Sequence, residues 1–178
     1  MKKNLLVLLL ACMLSEIASG ILGPIYMLLY QRVGDFSTAS ISFGIFSLML
    51  AVLEAPFGHL SDKYGRKPFI ILGGILTSII SVLYLFITTP FQLYLLECLA
   101  GIAASMQTPV LHSLISETAP KRKRGKFFGI FDSSVNLTYG IASIISGLLF
   151  SIFGLEVIFF LSSLLHASSV ALAYKIKC

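Results

Sequence analysis

Four carboxylates, Glu16, Glu54, Glu97 and Asp132, interrupt stretches of this 178-residue chain that are otherwise apolar. A carboxylate at the middle of a bilayer costs roughly 2.5–3.5 kcal/mol on insertion scales, so each needs a proton, a cation, a hydrogen-bonding partner or access to water. Glu16 stands about eleven residues into the apolar run that begins at Leu5 and is the first candidate for binding a proton or a cation. Asp132 and Asn136 open a polar stripe that continues through Tyr139, Ser143 and Gly147, at helical spacing. Glu97 shares a helical face with Gly101, Ala104, Thr108 and His112, and an imidazole there can contact a solute or relay a proton. Glu16, Glu54, Glu97, His112, Asp132 and Asn136 are therefore candidates for lining a solute or ion pathway. The plainer reading of each is internal hydrogen bonding, or snorkelling for Glu54 and Glu97, which lie within a few turns of their run's end.

Other chemistry is not suggested. Neither the three histidines, His59, His112 and His166, nor the three cysteines, Cys12, Cys98 and Cys178, have metal-ligand spacing, and no C-x-x-C pair is present. No metal, cofactor or disulfide framework is expected.

The elements that carry these residues follow from composition. Residues of the apolar class make up 57% of the chain and mean hydropathy is +0.94, outside the range of soluble domains, roughly 45–50% apolar. The apolar runs last about twenty residues, where barrel strands would alternate over about ten, so an all-α integral membrane protein is expected. Six spans fit, at 5–30, 40–57, 69–88, 92–115, 127–150 and 155–174, forming a single membrane domain over 1–178. The first run continues to Tyr30, too far for a cleaved signal peptide. Pro24 after Gly23 predicts a bend in the first span, and Pro109 a kink in the fourth. In the second, Gly44, Ser47, Ala51 and Ala55 form a small-residue stripe suited to close helix packing.

Charge orients the spans. With six of them and a cytoplasmic N-terminus, twelve of the thirteen Lys and Arg residues fall on one side, and only Arg32 on the other. That asymmetry places both termini in the cytoplasm of a multi-pass cell-membrane protein. Five basic residues crowd positions 121–126, in the loop 116–126. Tied between two membrane helices, such a run suits an anionic lipid surface and cannot follow a nucleic-acid groove.

The densest signal is Gly58-His59-Leu60-Ser61-Asp62-Lys63-Tyr64-Gly65-Arg66-Lys67, a charged loop, 58–68, between the second and third spans. This G-x-L-x-D-K-x-G-R-K run closely resembles the signature loop of major facilitator superfamily (MFS) transporters. Pro120, Arg124, Gly125 and Gly129 resemble the family's P-x-x-x-R-G-x-x-x-G at the start of the fifth span, and residues 147–161 its turn between the fifth and sixth. The resemblance implies the N-terminal half-bundle of such a transporter, built as a 3+3 inverted repeat. It implies movement of a small solute by alternating access, efflux-like in character, with a second six-helix half expected, as a separate chain or a second copy. It also implies a conformational latch of Gly58, Asp62, Gly65, Arg66, Lys67, Glu117, Arg124 and Gly125, in which Arg66 pairs with Glu117 and Asp62 contacts a helix of the opposite half.

Two positions depart from the family's pattern. Glu97 stands four residues before Gly101 where the family often has an Arg linked to proton coupling, and 142–147 lacks the glycine-proline hinge of drug antiporters. A truncated or orphan half without transport activity is the alternative reading. A remote one is a six-helix intramembrane hydrolase using Ser105 and His166, against which Ser105 lies in A-A-S-M rather than in a glycine-flanked motif.

Overall fold

The computed structural model describes residues 2–119 and 121–175. Apolar sequence becomes helix throughout, and no strand occurs among the described residues. The helices are α1 (Lys2–Leu22), α2 (Tyr26–Val33), α3 (Phe36–Tyr64), α4 (Lys67–Leu83), α5 (Pro90–Thr118) and α6 (Arg124–Ala173), with short 3-10 turns at Tyr84–Phe86 and Lys121–Lys123. Among the described residues, five stretches are long and apolar enough to cross a membrane: Leu6–Val33, Phe36–Tyr64, Lys67–Phe86, Pro90–Glu117 and Arg124–Ala173.

Breaks and caps follow local chemistry. α1 gives way to α2 through a turn over residues 23–25, at Gly23 and Pro24. Asp35 caps α3: its carboxylate accepts from the Thr38 N–H at 2.9 Å and the Ser37 hydroxyl at 2.6 Å. Pro90 sits in the first turn of α5, where a missing N–H costs nothing, and the Thr89 hydroxyl accepts from the Gln92 N–H. α5 continues as helix through Pro109.

α6 is 50 residues long, about 75 Å as a straight helix against a bilayer core of about 30 Å. Gly154, at φ +75°, reverses it. Along the first limb, Phe131 clusters with Leu8 and Ala11, and further on Tyr139 and Ala142 meet Gly20. Along the second, Ser162 donates to the Ala18 carbonyl and Ser169 to that of Ala11. The limbs 124–153 and 155–173 thus run in opposite directions beside α1.

Small residues and serines close the bundle. A Cβ at Gly20 would stand 2.5 Å from the Tyr139 carbonyl oxygen, so only glycine admits α6 this near to α1. Ser78 of α4 and Ser163 of α6 each donate to the other's carbonyl, at 2.9 and 2.8 Å. The small-residue stripe on α3 makes no such contact: Gly44 has no neighbour within 4 Å of a built Cβ, and Ala51 and Ala55 are exposed. Close packing of α3 against α5 comes instead from Gly101, which lies under the Phe46 carbonyl and the Met49 side chain. A stripe of small residues marks a face that permits approach; whether a helix comes there depends on its neighbours.

Two apolar clusters fill two levels of the bundle. Leu8, Ala11, Ile70, Val110, Ile115, Phe131 and Ala173 occupy one, at the end holding the α3–α4 turn. Leu22, Leu29, Tyr84, Leu93, Ile158 and Phe159 belong to the other. Many large apolar side chains, such as Phe36, Leu48, Val52 and Ile144, face outward, as suits a surface solvated by lipid tails.

The segment 58–68 differs from a loop. α3 continues as helix through Tyr64, so Gly58, His59 and Asp62 occupy its last two turns, and only Gly65 and Arg66 separate it from α4. Charged residues end an apolar run without ending a helix; here the helix ends at Gly65, whose φ of +92° favours glycine.

Candidate functional site

Polar groups on α1, α4, α5 and α6 face a cavity of about 720 Å3 between the helices, which also reaches α2 and α3. Glu16, Glu97, His112 and Asp132 all line it. A polar side chain on a membrane helix is tolerated best toward the bundle interior, and that constraint brings four separate positions to one space. Glu54 and Asn136 are not among the lining residues: Glu54 is half-buried on α3, and Asn136 is exposed on the first limb of α6.

Glu97 has the most developed surroundings. It is 6% exposed, and the Tyr84 hydroxyl donates to its Oε1 at 3.0 Å. Tyr30 lines the same cavity. Tyr26 stands edge-on to Tyr84 with ring centroids 5.2 Å apart, and it stacks with Tyr30 at 6.4 Å. Phe159 of α6 completes the group, 6.2 Å from Tyr84 and 6.4 Å from Tyr26. Buried carboxylates require hydrogen-bond donors, and tyrosines provide them while presenting apolar ring faces.

Nearer the other end of the cavity, Ser15 and the Nδ1 of His166 lie 3.1 Å apart, beside Cys12 and Glu16 on the lining. Gln107 donates to the Thr77 hydroxyl and to the Ala103 carbonyl, tying α5 to α4 across the wall. The Ser105–His166 pair of the hydrolase reading is not formed. Ser105 donates to the Ile102 carbonyl of its own helix at 2.7 Å, and the partner of His166 is Ser15.

At the end of the bundle that holds the α3–α4 turn, Arg66 donates to Asp62 at 3.3 Å and also pairs with Glu117 at the end of α5. The Arg66 side chain is 17% exposed and both acids are 63% exposed. Its hydrogen bond with Glu117 leads the interactions that hold the guanidinium pKa above its ordinary value. Lys67 lies over the Tyr174 ring at 4.4 Å, joining the start of α4 to the residue after α6. A Cβ at Gly58 would stand 3.5 Å from the Cβ of Pro109, in ordinary van der Waals contact. Arg124 and Gly125 are exposed at the start of α6, and Arg124 makes no ion pair among the described residues. Pro120, expected to lead into the fifth span, lies outside the described residues, as do 176–178 with Lys177 and Cys178.

Sequence reasoning missed the tyrosines. Tyr26 and Tyr30 have i, i+4 spacing, and Tyr84 and Glu97 flank the short connection between α4 and α5, so a helical hairpin brings them together. That was the available signal; tyrosines near span ends read first as ordinary interface residues.

Residues 8–176 match the sequence model of the Major Facilitator Superfamily. The chain is 30% identical over 98% of its length to an uncharacterized MFS-type transporter of Methanocaldococcus jannaschii, and covers 45% of that protein. It is 28% identical over 84% of its length to the class H tetracycline resistance protein of Pasteurella multocida, covering 38% of it. Thus it spans less than half the length of these two relatives. An uncharacterized MFS-type transporter of Bacillus subtilis is 25% identical over 84% of this chain, which covers 92% of that relative.

Proposed function

The chain belongs to the Major Facilitator Superfamily, and from that premise we propose that it moves a small solute across the cell membrane by alternating access, as one half of a twelve-helix unit. Members of the family are transporters, not enzymes, and the bundle's several long apolar helices make it a multi-pass membrane protein. The cavity carries the reading: polar side chains from separate helices converge on one space within an otherwise apolar bundle. Six crossings, one for each limb of α6, with both termini cytoplasmic, accord with the reversal at Gly154 and with the charge asymmetry of the sequence.

On this reading Arg66, Asp62 and Glu117 form the latch that holds one access state. Both carboxylates are mostly exposed to water, so their pairs with Arg66 are weak enough to form and break in each cycle. Gly58, Gly65, Lys67, Arg124 and Gly125 shape or flank that contact. The second half is another six-helix chain or a second copy of this one.

Reconstituted vesicles test both parts. The chain, alone and together with candidate second halves, is assayed for flux of tetracycline, the solute in a relative's name, and of tetraphenylphosphonium. Flux that is lost in Asp62→Asn and in Arg66→Ala is expected. Undiminished flux in those variants would remove the latch assignment, and no flux with any second half would favour the inactive half.

A further inference from the structure

We infer that the cavity takes an organic cation with aromatic or apolar substituents, held by the Glu97 carboxylate against the faces of Tyr26, Tyr30 and Tyr84. This inference rests on the transport reading for its biological meaning, but its chemistry is argued from the cavity itself.

Charge comes first. The lining carries three carboxylates, Glu16, Glu97 and Asp132, and no Lys or Arg among the described residues. Its remaining polar groups are hydroxyls, the Gln107 amide and two histidines. Glu97 is almost wholly buried, yet its hydrogen-bond donor is the Tyr84 hydroxyl, which supplies no positive charge. A carboxylate removed from water in a low-dielectric setting gains most from a cation brought beside it. An anionic solute would meet repulsion from three positions and attraction from none.

Shape and surface come second. The rings of Tyr26, Tyr30 and Tyr84 line the cavity together with Glu97 and lie within 6.4 Å of one another in successive pairs, stacked and edge-on, while the fully buried Phe159 packs against Tyr26 and Tyr84. Such a group offers ring faces, whose negative quadrupole attracts a cation, and ring edges that pack against apolar substituents. A small hydrated ion would gain little from these rings. About 720 Å3 accommodates a drug-sized molecule, and Phe43, Phe46 and Phe131 extend the apolar wall away from the carboxylate.

Isosteric ions make the test. Saturable binding of tetraphenylphosphonium and, separately, of tetraphenylborate is measured by equilibrium dialysis on the full chain in nanodiscs, with empty nanodiscs subtracted. The cation is expected to bind at least about tenfold more tightly than the anion. Glu97→Gln should weaken cation binding by about tenfold or more, Glu97→Asp should retain the preference, and Tyr26→Leu should weaken it several-fold. Equal binding of the two ions to the wild-type chain overturns the inference without recourse to any variant, as does an unchanged affinity in folded Glu97→Gln. The two readings separate cleanly. Cation binding without flux under any pairing would overturn transport and leave this inference standing. Tetracycline flux with no preference for the cation would do the reverse.

Discussion

The two ends of the bundle solve one problem, the placement of a carboxylate, in opposite ways. At the basic end, Glu117 and Asp62 stay largely in water and share the guanidinium of Arg66. At the aromatic end, Glu97 is withdrawn from water and held by the neutral hydroxyl of Tyr84 within a group of rings. Exposed ion pairs are screened and individually weak, commonly 0–1 kcal/mol, so they suit a contact that is made and broken. A buried carboxylate with neutral donors cannot be left unsatisfied without cost, so it suits a permanent fixture that waits for a charged ligand. Acids of the same chemistry thus differ in their exposure and in the charge of their partners.

The largest expected contrast comes from removing one aromatic ring at each end. Tyr84→Ala empties a fully buried site and should destabilise the protein by about 3–5 kcal/mol. Tyr174→Ala, whose exposed ring meets only Lys67 among the aromatic and cation contacts, should cost less than about 1 kcal/mol. Denaturant unfolding of the micellar protein reads both, and equal losses would dissolve the distinction between the ends.

A finer cut removes one hydroxyl. Tyr84→Phe keeps the ring and deletes the donor to Glu97, for an expected loss of about 1–3 kcal/mol, the usual cost of leaving a buried polar group without its partner. Glu117→Gln at the basic end should shift unfolding by no more than about 1 kcal/mol while reducing flux in vesicles. If the stability losses were reversed, the Arg66 pairs would be structural rather than exchangeable.

Much of this division could be read from the sequence, and the part that could not has physical causes. Glu16, Glu97, Asp132 and His112 stand out because each is polar within an apolar helix, and such residues turn inward. Glu54 and Asn136 carry the same signal but lie off the cavity, since the face a residue presents is fixed only once the neighbouring helices are placed. The α3 stripe is unpacked in this bundle for that reason also: Gly44 is as small as Gly101, but it is Gly101 that receives a neighbouring helix. The extension of α3 to Tyr64 was hidden by equating charge with loop, although a helix keeps its backbone hydrogen bonds when it emerges into water. The tyrosine group was the hardest to foresee, because it draws residues from both sides of a turn and from two other parts of the chain.

The smallest effect sharpens the contrast through solvent conditions rather than mutation. Asp35 is an exposed carboxylate capping α3, and hydrogen bonds from the Ser37 hydroxyl, the Thr38 N–H and the Thr38 hydroxyl lower its pKa to about 2. Because the folded value is depressed, the cap's contribution is complete above the ordinary carboxylate range and is lost as pH falls through that range toward about 2. Its partners are neutral, so salt should leave it nearly untouched. The Arg66 pairs with Asp62 and Glu117 behave in the opposite sense: raising salt from 0.1 to 1 M shortens the screening length from about 10 Å to about 3 Å and weakens them. Hydrogen exchange at the first turn of α3 and at the α3–α4 turn, followed against pH and against salt, distinguishes the two. Acid should loosen the first turn of α3, more in the wild-type chain than in Asp35→Asn, which has no carboxylate there to titrate. Salt at neutral pH should loosen only the α3–α4 turn. Loosening of the Asp35 cap by salt would mean that it is held by charge and not by its hydroxyl and amide donors.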